Sequence, residues 1–195
     1  TRPETVNEEK VKMLEKINCH RMSIGIESGN QEYAKKMLKR NATIEQITRA
    51  CRIVNSSSIE LSVNNVVGFP DETREMMFDT IELNRTFQAN SHSCSIFQPY
   101  HGTNLHTYCV SNGIFEKNQL AEDLTYATPL KQKHITHKEI EGVAKCFILY
   151  TKLPKKMYDF IKIAEKDDPQ GNKMYEELLM LYKRDYARNA ESDVG

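Results

Sequence analysis

Residues whose side chains or backbone could bind a small molecule stand at the ends of three separate predicted strands. They are Glu27 and Ser28, then Asn64, Gly68 and Pro70, then Gln98 and Pro99. A carboxylate accepts hydrogen bonds from an ammonium group or a ribose, and an amide both donates and accepts. Arg40, one turn beyond the helix expected after Glu27, could bind a carboxylate in a bidentate manner. This set suits a zwitterionic small molecule that carries a nucleoside; the alternative is that Arg40 is a solvated charge and Asn64 a structural polar residue.

The first of these ends belongs to residues 21–30, RMSIGIESGN, in which apolar and small or polar residues alternate. The alternation predicts a strand, and the spacing of apolar residues after it predicts a helix. Strand–helix units build parallel sheets. Since fully covered parallel strands are usually apolar throughout, the polar side of this one is expected to face a ligand-holding lumen, with Glu27 at the strand's carboxyl end. The alternative is a half-exposed strand whose glutamate is solvated.

The same pattern returns twice, with strands predicted over 59–67 and about 92–98, and helices after each. Three such repeats occupy residues 21–112 at roughly 30 residues each, the usual size of a strand–helix unit. Three or four parallel strands leave an open sheet edge, which native proteins avoid. We therefore expect further strands from a preceding segment, and the start at Thr1 rather than Met agrees with a piece of a longer protein.

The sequence also predicts where several helices begin and how the carboxyl-terminal third is organised. Predicted N-caps are Asn7, Thr43 (with Gln46 in a capping box) and Asp71. Beyond residue 113 the sequence is first loop-rich and then helical, with a helix ended by Pro154, a second around 157–164, a turn at 168–171 and a third helix after it. We divide the chain into 1–113 and 114–195, and expect the helical tail to pack across the barrel or cap its mouth.

Composition excludes several classes of function. With 27 basic and 27 acidic residues the formal net charge is zero, which offers no electrostatic argument for nucleic acid or an anionic membrane. No apolar run is long enough to span a bilayer, and no secretory signal is present. The five cysteines are scattered without CxxC spacing, which indicates buried thiols in a reducing, cytoplasmic setting rather than a disulfide framework; a metal site built from ligands far apart in the sequence stays open.

Three ordered motifs resemble the radical S-adenosylmethionine (SAM) enzymes. Residues 23–30 (SIGIESGN) with 37–40 (MLKR) are similar to the fourth-strand region of that family, and 64–73 (NNVVGFPDET) to its fifth-strand motif. Residues 95–105 (SIFQPYHGTNL) resemble its sixth-strand end, with His101 in place of the usual second proline. Residues 1–5 and the helical tail resemble the members that carry an N-terminal cobalamin-binding domain.

The resemblance implies an α/β fold, namely the carboxyl-terminal half of a partial (βα)6 TIM-like barrel followed by a helical tail. It also implies that SAM lies across the strand ends, bound by Ser23, Gly25, Glu27, Ser28, Arg40, Asn64, Gly68, Pro70, Gln98 and Pro99. In the family, a 4Fe–4S cluster held by CxxxCxxC cleaves SAM to a deoxyadenosyl radical or supports radical-based methyl transfer.

That cysteine motif is absent from this chain, so the resemblance places it on a missing N-terminal half, with a cobalamin domain as a further upstream partner. This chain alone is then expected to be inactive. The substrate stays open. Two alternatives remain: a non-catalytic α/β nucleotide-binding or interaction module, and a barrel lyase or aldolase with His101 as its only strand-end candidate.

Overall fold

The computed structural model describes residues 1–120 and 127–185. Three parallel strands, β1 (Arg21–Glu27), β2 (Glu60–Val67) and β3 (Ser91–Ile96), form one open sheet in the order β1-β2-β3. The register sets Gly25 opposite Asn64, and Asn64 opposite Ser93, while an irregularity interrupts the β1–β2 pairing between Gly25 and Glu27. The predicted parallel α/β arrangement is confirmed, and it is consistent with part of a TIM-like barrel.

The described residues also form eight α-helices and two short 3-10 turns, Pro3–Thr5 and Lys155–Met157. The helices are α1 (Glu8–Lys16), α2 (Gln31–Lys36), α3 (Ile44–Asn55), α4 (Arg74–Asn84), α5 (Asn104–Ser111), α6 (His137–Lys152), α7 (Tyr158–Ala164) and α8 (Pro169–Asp185). Within those residues, no helix is both long and apolar enough to cross a membrane.

Two of the predicted helix caps are confirmed, and two local predictions are wrong. Asn7 caps α1, and Thr43 caps α3 in a complete capping box. Asp71 does not cap α4: it has a left-handed backbone (φ 60°) and its carboxylate accepts from the hydroxyl of Tyr108, while Thr73 accepts the N–H of Met76 and is the N-cap. The predicted turn at 168–171 is instead the start of α8, because proline is well tolerated in a first helical turn, where its missing N–H would have no partner.

The two faces of the sheet differ as the alternation predicts. One face is apolar and lies under the helices; Ile24, Leu61 and Val63 are completely buried there. The opposite face carries Asn64 and Ser93, both exposed, in the middle of the sheet. Because no helix of the described residues covers this row, the polar face is the side from which a ligand can reach the sheet.

The helical tail packs on the covered face, beside α4 and the β3 edge. Side chains of α6, α7 and α8 form one apolar cluster with Val67, Ile96, Met77 and Ile81. Arg85, at the end of α4, donates from Nη1 to three main-chain oxygens at the end of α6. The tail is thus bound to the sheet by both burial and hydrogen bonds.

The first residue pairs with the free edge of β1. The Thr1 amine donates to the Ser23 oxygen, and the Gly25 N–H donates to the Thr1 oxygen at 3.1 Å. These two bonds are the pattern of a parallel ladder opposite Ile24.

Candidate functional site

A row of hydrogen-bonded polar side chains crosses all three strands on the open face. The Nδ2 atom of Asn64 donates to Ser23 Oγ at 3.0 Å, and Ser93 Oγ donates to Asn64 Oδ1 at 2.9 Å. The row is possible because parallel register places these three residues side by side and period-2 alternation turns them to the same face. Asn64 is exposed, so one N–H of its amide remains available to a ligand.

An ion pair stands next to this row at the carboxyl end of β1. Arg40 Nη1 lies 3.2 Å from Glu27 Oε1, and Arg40 Nη2 donates to the Gly25 oxygen at 2.6 Å. The side chains of Arg40 and Glu27 are only 19% and 27% exposed. A Cβ on Gly25 would lie 2.7 Å from Glu27 Oε1, so glycine leaves the space that the carboxylate occupies.

Glu27 is unusual in both its backbone and its titration. Its φ is +67°, a left-handed conformation that is uncommon for a residue other than glycine, and it follows the register irregularity of β1. Burial raises the pKa of its carboxyl above the ordinary value, and the charge of Arg40 opposes that rise. Backbone strain and a perturbed carboxyl at a strand end are together typical of binding and catalytic sites.

The turn after β2, residues 68–72, has its main-chain polar groups bound by side chains of the protein itself. Glu72 Oε2 accepts the N–H groups of Gly68 and Phe69, and Gln132 Nε2 donates to the oxygens of the same two residues. The Tyr33 hydroxyl donates to the Pro70 oxygen at 2.6 Å. We call residues 68–72 the β2 turn.

Gly68 packs against helix α6, whereas the sequence suggested that a ligand approaches it closely. Its φ is +77°, and a Cβ at this position would lie 2.7 Å from Cγ2 of Ile140 in α6. Its N–H and oxygen are bound to Glu72 and Gln132. Close approach at Gly68 is therefore made by the tail helix.

The carboxyl end of β3 is covered by residues 127–132, which we call the strap. Gln98 and Pro99 are buried, and Gln98 Nε2 donates to the Ala127 oxygen. Beneath the strap, Phe97 packs on Phe69 with ring centroids 5.1 Å apart. An apolar cluster thus borders the polar row where β2 and β3 end.

Ser28 is turned to the helix-covered side of the sheet. It is 2% exposed and its Oγ accepts the N–H of Asn30. It lines a very small cavity together with Ile26, Ala34 and Arg40, so of the open-face residues only Arg40 is its neighbour there. Its place is under the sheet, whereas Asn64 is on the open face.

Nine of the ten predicted site residues form two groups, and Ser28 belongs to neither. Ser23, Gly25, Glu27, Arg40 and Asn64 lie together on the open face, where the contacts of Arg40 with Glu27 and the Gly25 oxygen stand beside the hydrogen bond from Asn64 to Ser23. Gly68, Pro70, Gln98 and Pro99 lie in or beside the β2 turn and the strap. Sequence reasoning did not select Ser93, Glu72 or Gln132: alternation in β3 could have indicated Ser93, but no local pattern indicates the other two.

The described side chains do not fit an iron–sulfur cluster. No three His, Cys, Asp or Glu side chains in residues 1–120 and 127–185 are grouped so that they could hold a metal ion. Cys51, Cys109 and Cys146 are buried in three different apolar clusters, and burial raises the pKa of each thiol to about 12. A thiol must lose its proton to bind metal, so these environments oppose ligation.

Comparison with known proteins finds a family match in the first part of the chain. Residues 1–83 match the sequence model of the radical SAM superfamily. Over 156 residues, 80% of this chain and 34% of the relative, the sequence is 27% identical to the uncharacterized methyltransferase PH0819 of Pyrococcus horikoshii.

The fold is similar to that of the archaeal Methanocaldococcus infernus Elp3 with its N-terminal residues 1–46 deleted. The TM-score is 0.56 at 18% identity, over 94% of this chain and 40% of that chain. The chain therefore spans well under half the length of either relative. The polar groups of β1 and β2 lie within residues 1–83, the segment that matches the radical SAM superfamily model.

Proposed function

We propose that this chain supplies SAM-binding strand ends to a radical SAM enzyme. The observation that carries the proposal is the placement of the Glu27–Arg40 ion pair beside Asn64 on the open face of a parallel sheet, within the segment that matches the superfamily model. SAM is a zwitterion with a nucleoside: its ammonium group would bind to Glu27, its carboxylate to Arg40, and a ribose hydroxyl to the free amide N–H of Asn64.

The chemistry that a 4Fe–4S cluster supplies in this family is reductive cleavage of SAM. Because the described residues do not fit such a cluster, we propose that its ligands lie outside them, in a preceding segment of the same protein. The role of this chain is then to bind and orient SAM against that segment. The name of the relative PH0819 favours methyl transfer as the outcome; a cobalamin domain and a cytoplasmic location stay predictions from the sequence.

Calorimetric titration of SAM into the full-length protein tests the proposal. Glu27→Gln and Asn64→Ala should each weaken SAM binding by on the order of 1.5–3 kcal/mol, the loss of a charged or partly buried hydrogen bond. That is about a ten- to hundredfold rise in Kd. Glu60→Gln is the matched control, because Glu60 pairs with Arg21 in a similar ion pair at the opposite end of the strands.

The control variant should bind SAM like the wild type. Unchanged affinity in both site variants would remove these residues from the SAM site. Complete absence of SAM binding by a wild-type protein that carries its cluster would leave the non-catalytic module as the better description.

A further inference from the structure

Glu72 carries a buried carboxyl group that has no direct role in the proposed binding of SAM. It is the last residue of the β2 turn and is 1% exposed. Its Oε2 atom accepts the N–H of Gly68 at 2.7 Å and that of Phe69 at 3.1 Å. Its other oxygen, Oε1, is equally buried and has no hydrogen-bond partner among the described residues. The two oxygens of one carboxyl group thus have opposite environments.

This asymmetry favours the neutral acid. An ionised carboxylate shares its charge between both oxygens, and a buried oxygen without a donor or a cation makes that charge costly. Placing a proton on Oε1 removes the charge and leaves Oε2 as a carbonyl oxygen, which can still accept two N–H groups.

The groups around Glu72 offer no cation to offset an ionised form. No ion pair to Glu72 is present in residues 1–120 and 127–185. The titratable groups that face it are Tyr33 of α2 and Cys94 of β3, and burial raises the pKa of both, so both are neutral near pH 7. The adjacent Asp71 is exposed and accepts from Tyr108. Burial raises the pKa of Glu72 itself to about 8, against the effect of its two backbone hydrogen bonds.

The turn that Glu72 holds connects β2, which carries Asn64, to α4. The amides of Gly68 and Phe69 have Glu72 as acceptor, and the carbonyls of Gly68, Phe69 and Pro70 have Gln132 and Tyr33 as donors. Loss of the Glu72 acceptor would leave two buried N–H groups without a partner, which the chain could relieve only by moving the turn. Such a movement would displace Phe69 and the apolar surface beside the polar row.

We propose that Glu72 is a positioning residue of the SAM site that acts as a neutral carboxylic acid, with its proton on Oε1 and its carbonyl oxygen Oε2 holding the amides of Gly68 and Phe69. The positioning role rests on the proposed function, whereas the protonation state does not. The sign of the pH effect follows from linkage. An unfolded glutamate ionises near 4.5 and the folded one near 8, so the folded state holds the extra proton between these values, and stability falls as the pH rises through that window.

Two variants separate the proposal from a merely structural role. Glu72→Gln has the shape of the neutral acid and keeps its carbonyl oxygen, so it should keep the turn and lose the pH dependence. Glu72→Leu has no acceptor and should be less stable at every pH. Denaturation of the full-length protein between about pH 5 and pH 9 measures both expectations. Infrared spectroscopy should show a protonated carboxyl band at neutral pH that Glu72→Gln lacks.

SAM titration of the same three proteins completes the test. Glu72→Gln should bind SAM within about threefold of the wild type, and Glu72→Leu at least about tenfold more weakly. Glu72→Gln behaving like Glu72→Leu, or the absence of the protonated carboxyl band, would overturn the neutral-acid assignment. Absence of SAM binding by the wild type would refute the SAM site and the positioning role, while the infrared band still decides the protonation state.

Discussion

Alanine at Gly68 is expected to destabilise the protein through contact with the tail helix as well as through its backbone. Gly68 and Gly102 have nearly the same left-handed conformation, with φ values of +77° and +83°. Adding a Cβ in that conformation costs about 1–2 kcal/mol. At Gly102 nothing lies within 4 Å of the added atom, whereas at Gly68 it would lie 2.7 Å from Cγ2 of Ile140.

The two glycines therefore form a matched pair. Forcing an extra methyl group into a packed site typically costs a further 1–3 kcal/mol or so. We expect Gly102→Ala to lower the free energy of unfolding by about 1–2 kcal/mol, and Gly68→Ala by about 2–5 kcal/mol. Urea denaturation measures both values, and the melting temperature should fall by about 2–4 °C for each kcal/mol.

A double-mutant cycle with Ile140→Ala identifies the source of the difference. Ile140→Ala alone should cost about 2–5 kcal/mol, because a completely buried side chain is truncated. In its background, Gly68→Ala should cost no more than Gly102→Ala does in the wild type, because the clashing methyl group is gone. Equal effects of Gly68→Ala and Gly102→Ala, or strict additivity in the cycle, would refute the argument that α6 is packed against the β2 turn.

Two further predictions concern groups away from the site. Arg85→Met should lower the free energy of unfolding by about 1.5–3 kcal/mol, because three main-chain oxygens at the end of α6 lose a charged donor. Arg49→Met, which breaks an exposed pair with Glu8, should have little effect on that free energy. Equal losses in denaturation experiments would contradict this prediction. Burial lowers the pKa of His92 from 6.5 to about 3, and the nearby charge of Lys152 contributes in the same direction. The free energy of unfolding therefore decreases as the pH falls from 6.5 toward 3. The loss between about pH 7 and pH 4 should be smaller in His92→Gln, and an identical loss would show that another group is responsible.

The residues after 113 contribute to the candidate site from far along the chain. Gln132 of the strap holds two carbonyls of the β2 turn and the N–H of Asp71. Ile140 of α6 contacts the same turn at Gly68. The site therefore depends on contacts that span more than sixty residues of sequence, and variants in the strap should affect the turn as much as variants within it.

Local patterns sufficed for the strands, most helix starts and part of the site. Period-2 alternation identifies β1 and β2 because it reflects the burial of one face, and Asn7 and Thr43 are caps because their bonds close within three residues. Parallel strands bring their ends to one edge, so the proximity of Glu27 and Asn64 also follows from the pattern. Asp71 shows where local patterns fail. Its residue type favours a helix cap, but its carboxylate accepts from Tyr108, which is distant in the sequence.

Tertiary structure alone decided how each site residue is used. Glu27 and Arg40 form a pair because a register irregularity and a left-handed backbone direct one side chain at the other, and neither has a sequence signal. The same holds for Glu72, whose burial depends on β3 and α2 closing around it, and for Gly68, whose neighbour belongs to α6. The physical reason is that burial, pKa and hydrogen-bond partners are properties of groups far apart in the chain, whereas periodicity and capping depend on residues within one or two turns of each other.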